Sequence, residues 1–227
     1  MKQSQSFDVC PISGESHIEE RINHLTHLGG LILSVIGSAA LFIYVYLYGN
    51  MQSMAICGAY GFTLILLYTA STFYHGCKTL HYKAILRIAD HASIYLLIAG
   101  CYTPFALGPL KDGTGWTMFW IEWGIACIGV IFKLFATHRF QLLSTLAYLG
   151  MGWLVVFSLP ALIETLPFTV NALLISGGLS YSLGTFFFLR ESLPFNHGIW
   201  HVFVLGGGIC HYCAIFIMVI YNPDLWF

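Results

Sequence analysis

The run Leu31-Ile32-Leu33-Ser34-Val35-Ile36-Gly37-Ser38-Ala39-Ala40-Leu41-Phe42-Ile43-Tyr44-Val45-Tyr46-Leu47-Tyr48-Gly49-Asn50 decides the fold class. It carries no charge, and the uncharged stretch around it extends from Ile22 to Cys77. A bilayer core takes about 20 residues of helix, so this stretch is too long for one crossing. The turn-forming cluster Tyr48-Gly49-Asn50 splits it into two spans. Further uncharged stretches cover residues 91–110, 140–163, 165–189 and 192–223. With a span near 114–134 they predict seven crossings, at 24–47, 53–75, 89–108, 114–134, 140–162, 168–189 and 197–220. The alternating polar positions of membrane strands are absent. The first span is not a cleaved signal peptide, because it begins after some 20 polar residues and outlasts the usual apolar length. The sequence therefore predicts an all-α polytopic membrane protein, a seven-transmembrane-helix bundle in one domain over residues 1–227, with a short polar amino-terminal segment over about 1–22.

Composition excludes the soluble alternative. Residues are 58% hydrophobic and 8% charged, whereas soluble domains carry about a quarter charged. A net charge of −1 gives no reason to expect a nucleic-acid partner. In the seven-span arrangement Lys2, Arg21, Lys78, Lys83, Arg87, Lys133, Arg139 and Arg190 fall on one side and Lys111 alone on the other. The positive-inside rule then puts the amino terminus in the cytoplasm and the carboxyl terminus outside. The seven cysteines are scattered through the spans and predict no disulfide framework. Cys210 and Cys213 read as two small buried residues more readily than as a redox pair.

This topology brings polar residues from four spans to one depth. Span two ends at His75, span three begins with Asp90, and span seven begins with His197 and His201. Ser71 shares a helix face with His75, as His197 does with His201. Span one contributes Glu20, Asn23 and His27 at the same level. Three imidazoles with a fourth position for water suit catalytic zinc, and the reading takes His75, His197 and His201 as the ligands. Asp90 is placed to accept a proton from water acidified by the metal, and Ser71 to hydrogen-bond that water. This chemistry points to hydrolysis of an amide or ester. Two plainer readings stay open: polar residues gluing helices together, and a structural zinc without turnover. Glu20, Asn23 and His27 either orient the ligands from outside or start span one at the interface, where Ser16 and Glu19 have capping-box spacing.

Other unusual residues read as packing or interface. Glu122 is acidic inside span four, and its neighbours Trp116, Trp120 and Trp123 place it in an interfacial aromatic belt ahead of a proton or lipid site. His211 lies roughly 15 Å beyond His201 along the helix and is read as a hydrogen-bonded packing residue. Gly206 to Gly208 either permit close helix approach or open space for an acyl chain.

The runs Glu20-Arg21-Ile22-Asn23 with Thr26-His27, Ser71-Thr72-Phe73-Tyr74-His75, Asp90-His91-Ala92-Ser93-Ile94-Tyr95 and His197-Gly198-Ile199-Trp200-His201 resemble the progestin and adiponectin receptor family. Ala99-Gly100-Cys101-Tyr102-Thr103-Pro104-Phe105 and Gly150-Met151-Gly152-Trp153 are similar to its bacterial haemolysin III branch. The resemblance covers nearly all of the chain from about residue 15. It implies a seven-helix bundle with zinc on His75, His197 and His201, with Ser71 and Asp90 beside the metal. It also implies a multi-pass protein of the bacterial inner membrane, linked to lipid homeostasis, with membrane lipid as its partner. Animal members are receptors with proposed ceramidase activity. Two functions follow as expectations: an intramembrane zinc hydrolase of a lipid amide or ester, and a non-catalytic lipid sensor braced by structural zinc. The cytolysin that the branch name suggests ranks last, because seven permanent spans do not easily leave a cell in soluble form.

Overall fold

The computed structural model describes residues 9–137 and 140–221. Seven of its helices or helix pairs are long and apolar enough to cross a membrane. They are α1 (His17–Tyr48), α2 (Met51–Gly76), α3 (Leu80–Leu107), α4 (Gly115–Ala136), the pair α5 (Gln141–Trp153) and α6 (Leu159–Thr165), α7 (Phe168–Phe188) and α8 (Asn196–Tyr221). Sequence neighbours pack along their lengths, α8 closes the bundle against α1, and the α5–α6 span touches its neighbours only lightly. The core is built from residues such as Leu41, Tyr60, Leu67, Ile215 and Met218. Ile36, Phe42, Trp120, Ile128, Phe135 and Phe157 point outward, as lipid-solvated helices require. The chain is a multi-pass membrane protein.

Helix boundaries follow local chemistry. At α1 the Ser16 hydroxyl accepts from the Glu19 N–H while the Glu19 carboxylate accepts from the Ser16 N–H at 2.9 Å, a reciprocal capping box. Asn50 and Ser53 cap α2 in the same way, one residue beyond Gly49, where the first long stretch was expected to break. The first span begins at His17 instead of 24 and the third at Leu80 instead of 89. The cause is that the early polar residues face inward and find partners: Glu20, Asn23 and Lys83 are all buried and hydrogen-bonded. Residues 9–16 are folded against themselves. The Cys10 N–H donates to Glu15 O and the Gly14 N–H to Cys10 O, both at 2.8 Å, folding this segment into a turn. Gly14 adopts φ +80°, a left-handed conformation that suits glycine.

The fifth span is broken. A single 3-10 turn, Leu154–Ser158, separates α5 from α6, and Pro160 in the first turn of α6 has no N–H to continue a helix from α5. Tyr102 of α3 fills the gap. Its hydroxyl lies 3.0 and 2.9 Å from the carbonyl oxygens of Met151 and Gly152 and accepts the Val155 N–H at 2.7 Å. Gly207 lies against the Tyr181 ring, so the glycine run of α8 serves close helix approach.

Glu122 departs from its expected place. It is fully buried, and neither carboxylate oxygen has a hydrogen-bond partner among the described residues. Trp116 and Trp120 share the lipid-facing side of α4. Glu122 and Trp123 turn instead towards α3, where the Trp123 indole donates to Thr103 at 3.0 Å.

The α2–α3 interface supplies a test of packing. A Cβ on Gly100 would stand 2.0 Å from the buried Thr63 hydroxyl, which is tied to Tyr60 O at 2.9 Å. Gly100→Ala is expected to cost about 1–3 kcal/mol, read as a lower melting temperature in detergent.

Candidate metal centre

At one end of the bundle α2 stops while α3 and α8 begin, and α1 enters beside them. His75 on the last turn of α2 and His197 and His201 on the first turns of α8 meet there. One ligand atom from each lies within 4.8 Å of the other two. Each imidazole is held from outside through Nδ1. His75 Nδ1 is 2.9 Å from Glu20 Oε2, His197 Nδ1 is 2.7 Å from Glu15 Oε1, and His201 Nδ1 is 3.3 Å from Asn23 O. A carboxylate or carbonyl can only accept, so this network assigns the proton to Nδ1 in all three rings. The lone pair then sits on Nε2, the protonation state a metal ligand needs.

The outer groups are themselves fixed. Glu20 Oε1 is 2.9 Å from Lys83 Nζ and also accepts from the Ser13 hydroxyl. Lys83 donates in turn to Tyr74 O at 2.8 Å, which locks the start of α3 to the end of α2. Glu15 Oε2 accepts from Asn23 Nδ2 at 2.6 Å. Arg87 Nη1 donates to Ile12 O at 2.7 Å, pinning the turn that delivers Ser13 and Glu15. His27 stacks on His201 with ring centroids 3.5 Å apart. Glu15, Glu20 and His75 also approach within 4.8 Å of one another. In that grouping the carboxylates are already engaged by Asn23, His197, Lys83 and Ser13. His75 Nε2, by contrast, is buried with no hydrogen-bond partner among the described residues, and leaving it so would cost on the order of 1–3 kcal/mol. The three-histidine set therefore fits a metal ion better than the carboxylate grouping does. Its donors alone do not choose among divalent metals.

Asp90 and Ser71 complete the neighbourhood. Asp90 is buried and shares a cavity wall with His27, His197 and His201. Ser71 lies beside Asp90 but outside hydrogen-bond geometry, and its hydroxyl has no partner among the described residues. The cavity holds about 130 Å³ and runs from these polar groups along α3, α5, α7 and α8 to His211, past Leu97, Ile98, Trp153 and Val204. His211 Nε2 donates to Leu174 O at 3.2 Å, well away from the cluster.

The eight residues that the sequence places at the metal site, Glu20, Asn23, His27, Ser71, His75, Asp90, His197 and His201, thus lie at one end of the bundle. Sequence reasoning missed Glu15, Ser13 and Lys83, although three carboxylates, Glu15, Glu19 and Glu20, crowd the mouth of a span that carries His27. That crowding was the available signal.

A family model described as "Haemolysin-III related" matches residues 16–212. The chain belongs to the haemolysin III-related family. The Hemolysin-3 homolog of Bacillus subtilis (strain 168) is 43% identical over 202 residues, which cover 88% of this chain and 95% of that protein. Hemolysin-3 of Bacillus cereus is 43% identical over 199 residues, 87% and 91% of the two chains. This haemolysin III-related protein also shares 31% identity over 217 residues with the human Monocyte to macrophage differentiation factor, 90% and 86% of the two chains. That match extends the kinship to the progestin and adiponectin receptor family. The bacterial relatives and the seven apolar helices together agree with a multi-pass protein of the bacterial plasma membrane.

Purified protein is expected to hold about one divalent metal per chain by mass spectrometry. His75→Ala and His201→Ala are expected to lose it. Glu15→Gln, which weakens the hold on His197, is expected to lower metal affinity about ten- to a hundredfold while the protein stays folded.

Proposed function

We propose that this protein is a zinc-dependent hydrolase that cleaves a lipid amide or ester and so serves membrane lipid homeostasis. One observation carries the reading: the apolar cavity and the histidine cluster share a wall, with Asp90 on it. A closed structural site would need neither a carboxylate beside the ligands nor a cavity behind them. Three imidazoles with Nε2 lone pairs suit zinc, and zinc bound there would supply Lewis acidity and make water acidic enough to attack a carbonyl near neutral pH.

The chain's own residues then divide the work. The Leu, Ile and Trp side chains of the cavity hold an acyl chain and exclude water. Glu15, Glu20 and the Asn23 carbonyl keep the imidazoles aimed inward through their Nδ1–H groups. Asp90 takes the proton of the attacking water and returns it to the leaving amine or alcohol. Ser71, with its hydroxyl uncommitted, orients that water. Lys83, Arg87, Lys133 and Arg190 cluster at the end of the bundle that bears the site, and Lys111 stands at the other. By the positive-inside rule the site opens towards the cytoplasmic leaflet, with the amino terminus inside and the carboxyl terminus outside.

Fatty acid release from ceramide and from monoacylglycerol in detergent micelles tests the assignment. Asp90→Asn is expected to keep its metal and lose about a hundredfold or more in release rate, and Ser71→Ala to lose less. Metal-loaded wild-type protein that releases no fatty acid from either lipid would leave a sensor with structural zinc. Undiminished release by Asp90→Asn would remove Asp90 as the base.

A further inference from the structure

Two lysines are buried at the end of the bundle that bears the histidines, and they differ in one respect. Lys83 is ion-paired to Glu20 at 2.9 Å and donates to Tyr74 O at 2.8 Å. Lys133, in the last turn of α4, is only 1% exposed, yet no carboxylate pairs with its ammonium among the described residues. The Tyr148 ring lies beside it, with the centroid 5.9 Å from Nζ. A lysine that merely anchored a helix end would extend outward to the headgroups. Lys133 turns inward and lines the cavity that His197 and His201 also line.

A buried ammonium without a counter-charge is costly, and such groups are kept where something pairs with them. The surroundings suit an anion with several oxygens. Gln141, Ser144, Thr145 and His91 line the same part of the wall, between α3, α4 and the start of α5. The Ser144 and Thr145 hydroxyls donate to Phe140 O and Gln141 O at 3.3 and 2.9 Å, which leaves the Gln141 amide and the Lys133 ammonium to donate to a ligand. His91 lies within electrostatic reach of Lys133, His75 and His197, so this polar corner and the histidine cluster are near neighbours on one cavity. Beyond both, the wall is mostly hydrocarbon, interrupted by Tyr181, Ser182, Thr185 and His211.

We infer that Lys133 is the anion-binding subsite of this cavity and that its occupant is an amphiphile with an oxyanionic headgroup, phosphate or carboxylate. The headgroup pairs with the Lys133 ammonium, and the chain lies along Leu97, Ile98 and Val204. This assignment rests on the reading of the cavity as a lipid site and adds to it a preference for anionic over neutral amphiphiles.

Binding to full-length, metal-loaded protein in a neutral detergent tests it, read as ligand-dependent thermal stabilisation. The probes are 1-oleoyl lysophosphatidic acid, oleate, monooleoylglycerol and inorganic phosphate. Wild-type protein is expected to bind at least one of the two anionic lipids about tenfold more tightly than monooleoylglycerol, and which one it prefers separates phosphate from carboxylate. Lys133→Met is expected to lose that preference while its affinity for monooleoylglycerol stays the same, and Lys133→Arg to keep it. Equal binding of anionic and neutral lipid by wild-type protein would overturn the anion subsite and leave the lipid cavity standing. A preference that survives in Lys133→Met but vanishes in His75→Ala would assign the anion to the metal and overturn the role of Lys133. Stabilisation by inorganic phosphate alone, with none by the lipids, would make it a free-anion site. No stabilisation by any probe would overturn both this inference and the lipid reading of the cavity. Retained binding of monooleoylglycerol by Lys133→Met shows that the variant is folded.

Discussion

The Nδ1 hydrogen bonds of three histidines are the constraint on which the site end of this bundle depends. Each imidazole comes from α2 or α8, and each is held by a group at the entrance of α1: Glu20 on His75, Glu15 on His197 and the Asn23 carbonyl on His201. The same contacts fix the tautomer, aim the rings and join helices far apart in sequence. Lys83 extends the network to α3 by pairing with Glu20. Charge that would be costly to bury alone becomes affordable because Glu15, Glu20 and Lys83 are all paired. His75 Nε2, both ring nitrogens of His27 and the Ser71 hydroxyl stay buried without a hydrogen-bond partner among the described residues.

Most of the fold was legible because a bilayer imposes a coarse rule. Uncharged stretches of the right length must be helices, and the break at Tyr48-Gly49-Asn50 is written in turn-forming residues. Helix starts were harder to read. Polar residues at the head of α1 and α3 resemble interface when counted along a line, whereas in three dimensions they point into the bundle. The histidines emerged from depth alone, since spans that start and end at one membrane face must bring their termini together. Glu15 did not emerge, because it lies before the first helix and only the turn over residues 9–16 carries it across to His197. Glu122 was misplaced for a related reason: the tryptophans around it mark a depth, while the direction it faces depends on which side of α4 meets α3. The gap in the fifth span was hidden too, because its mending hydroxyl belongs to Tyr102, some 50 residues away.

The cavity shows how an apolar bundle can be selective without many polar groups. Its long walls supply affinity for hydrocarbon and little discrimination. Its polar groups are few: the histidines, Asp90 and Lys133 line part of it, and Tyr181, Ser182, Thr185 and His211 interrupt the rest of the wall. On the lipid reading proposed above, these few polar groups set against hydrocarbon walls are where ligands would be told apart.

Glu19 gives the amino-terminal segment a weight that its position would not suggest. One carboxylate oxygen closes the cap of α1, and the other accepts the Phe195 N–H at 3.0 Å, immediately before α8. Phe195 itself is left-handed, with φ 59°, an uncommon conformation for a bulky side chain that needs support from its surroundings. Fraying of a first helical turn is ordinarily a local and harmless event. Here the same fluctuation loosens the hinge from which His197 and His201 are presented, so disorder at one end of the chain is transmitted to ligands nearly 180 residues away.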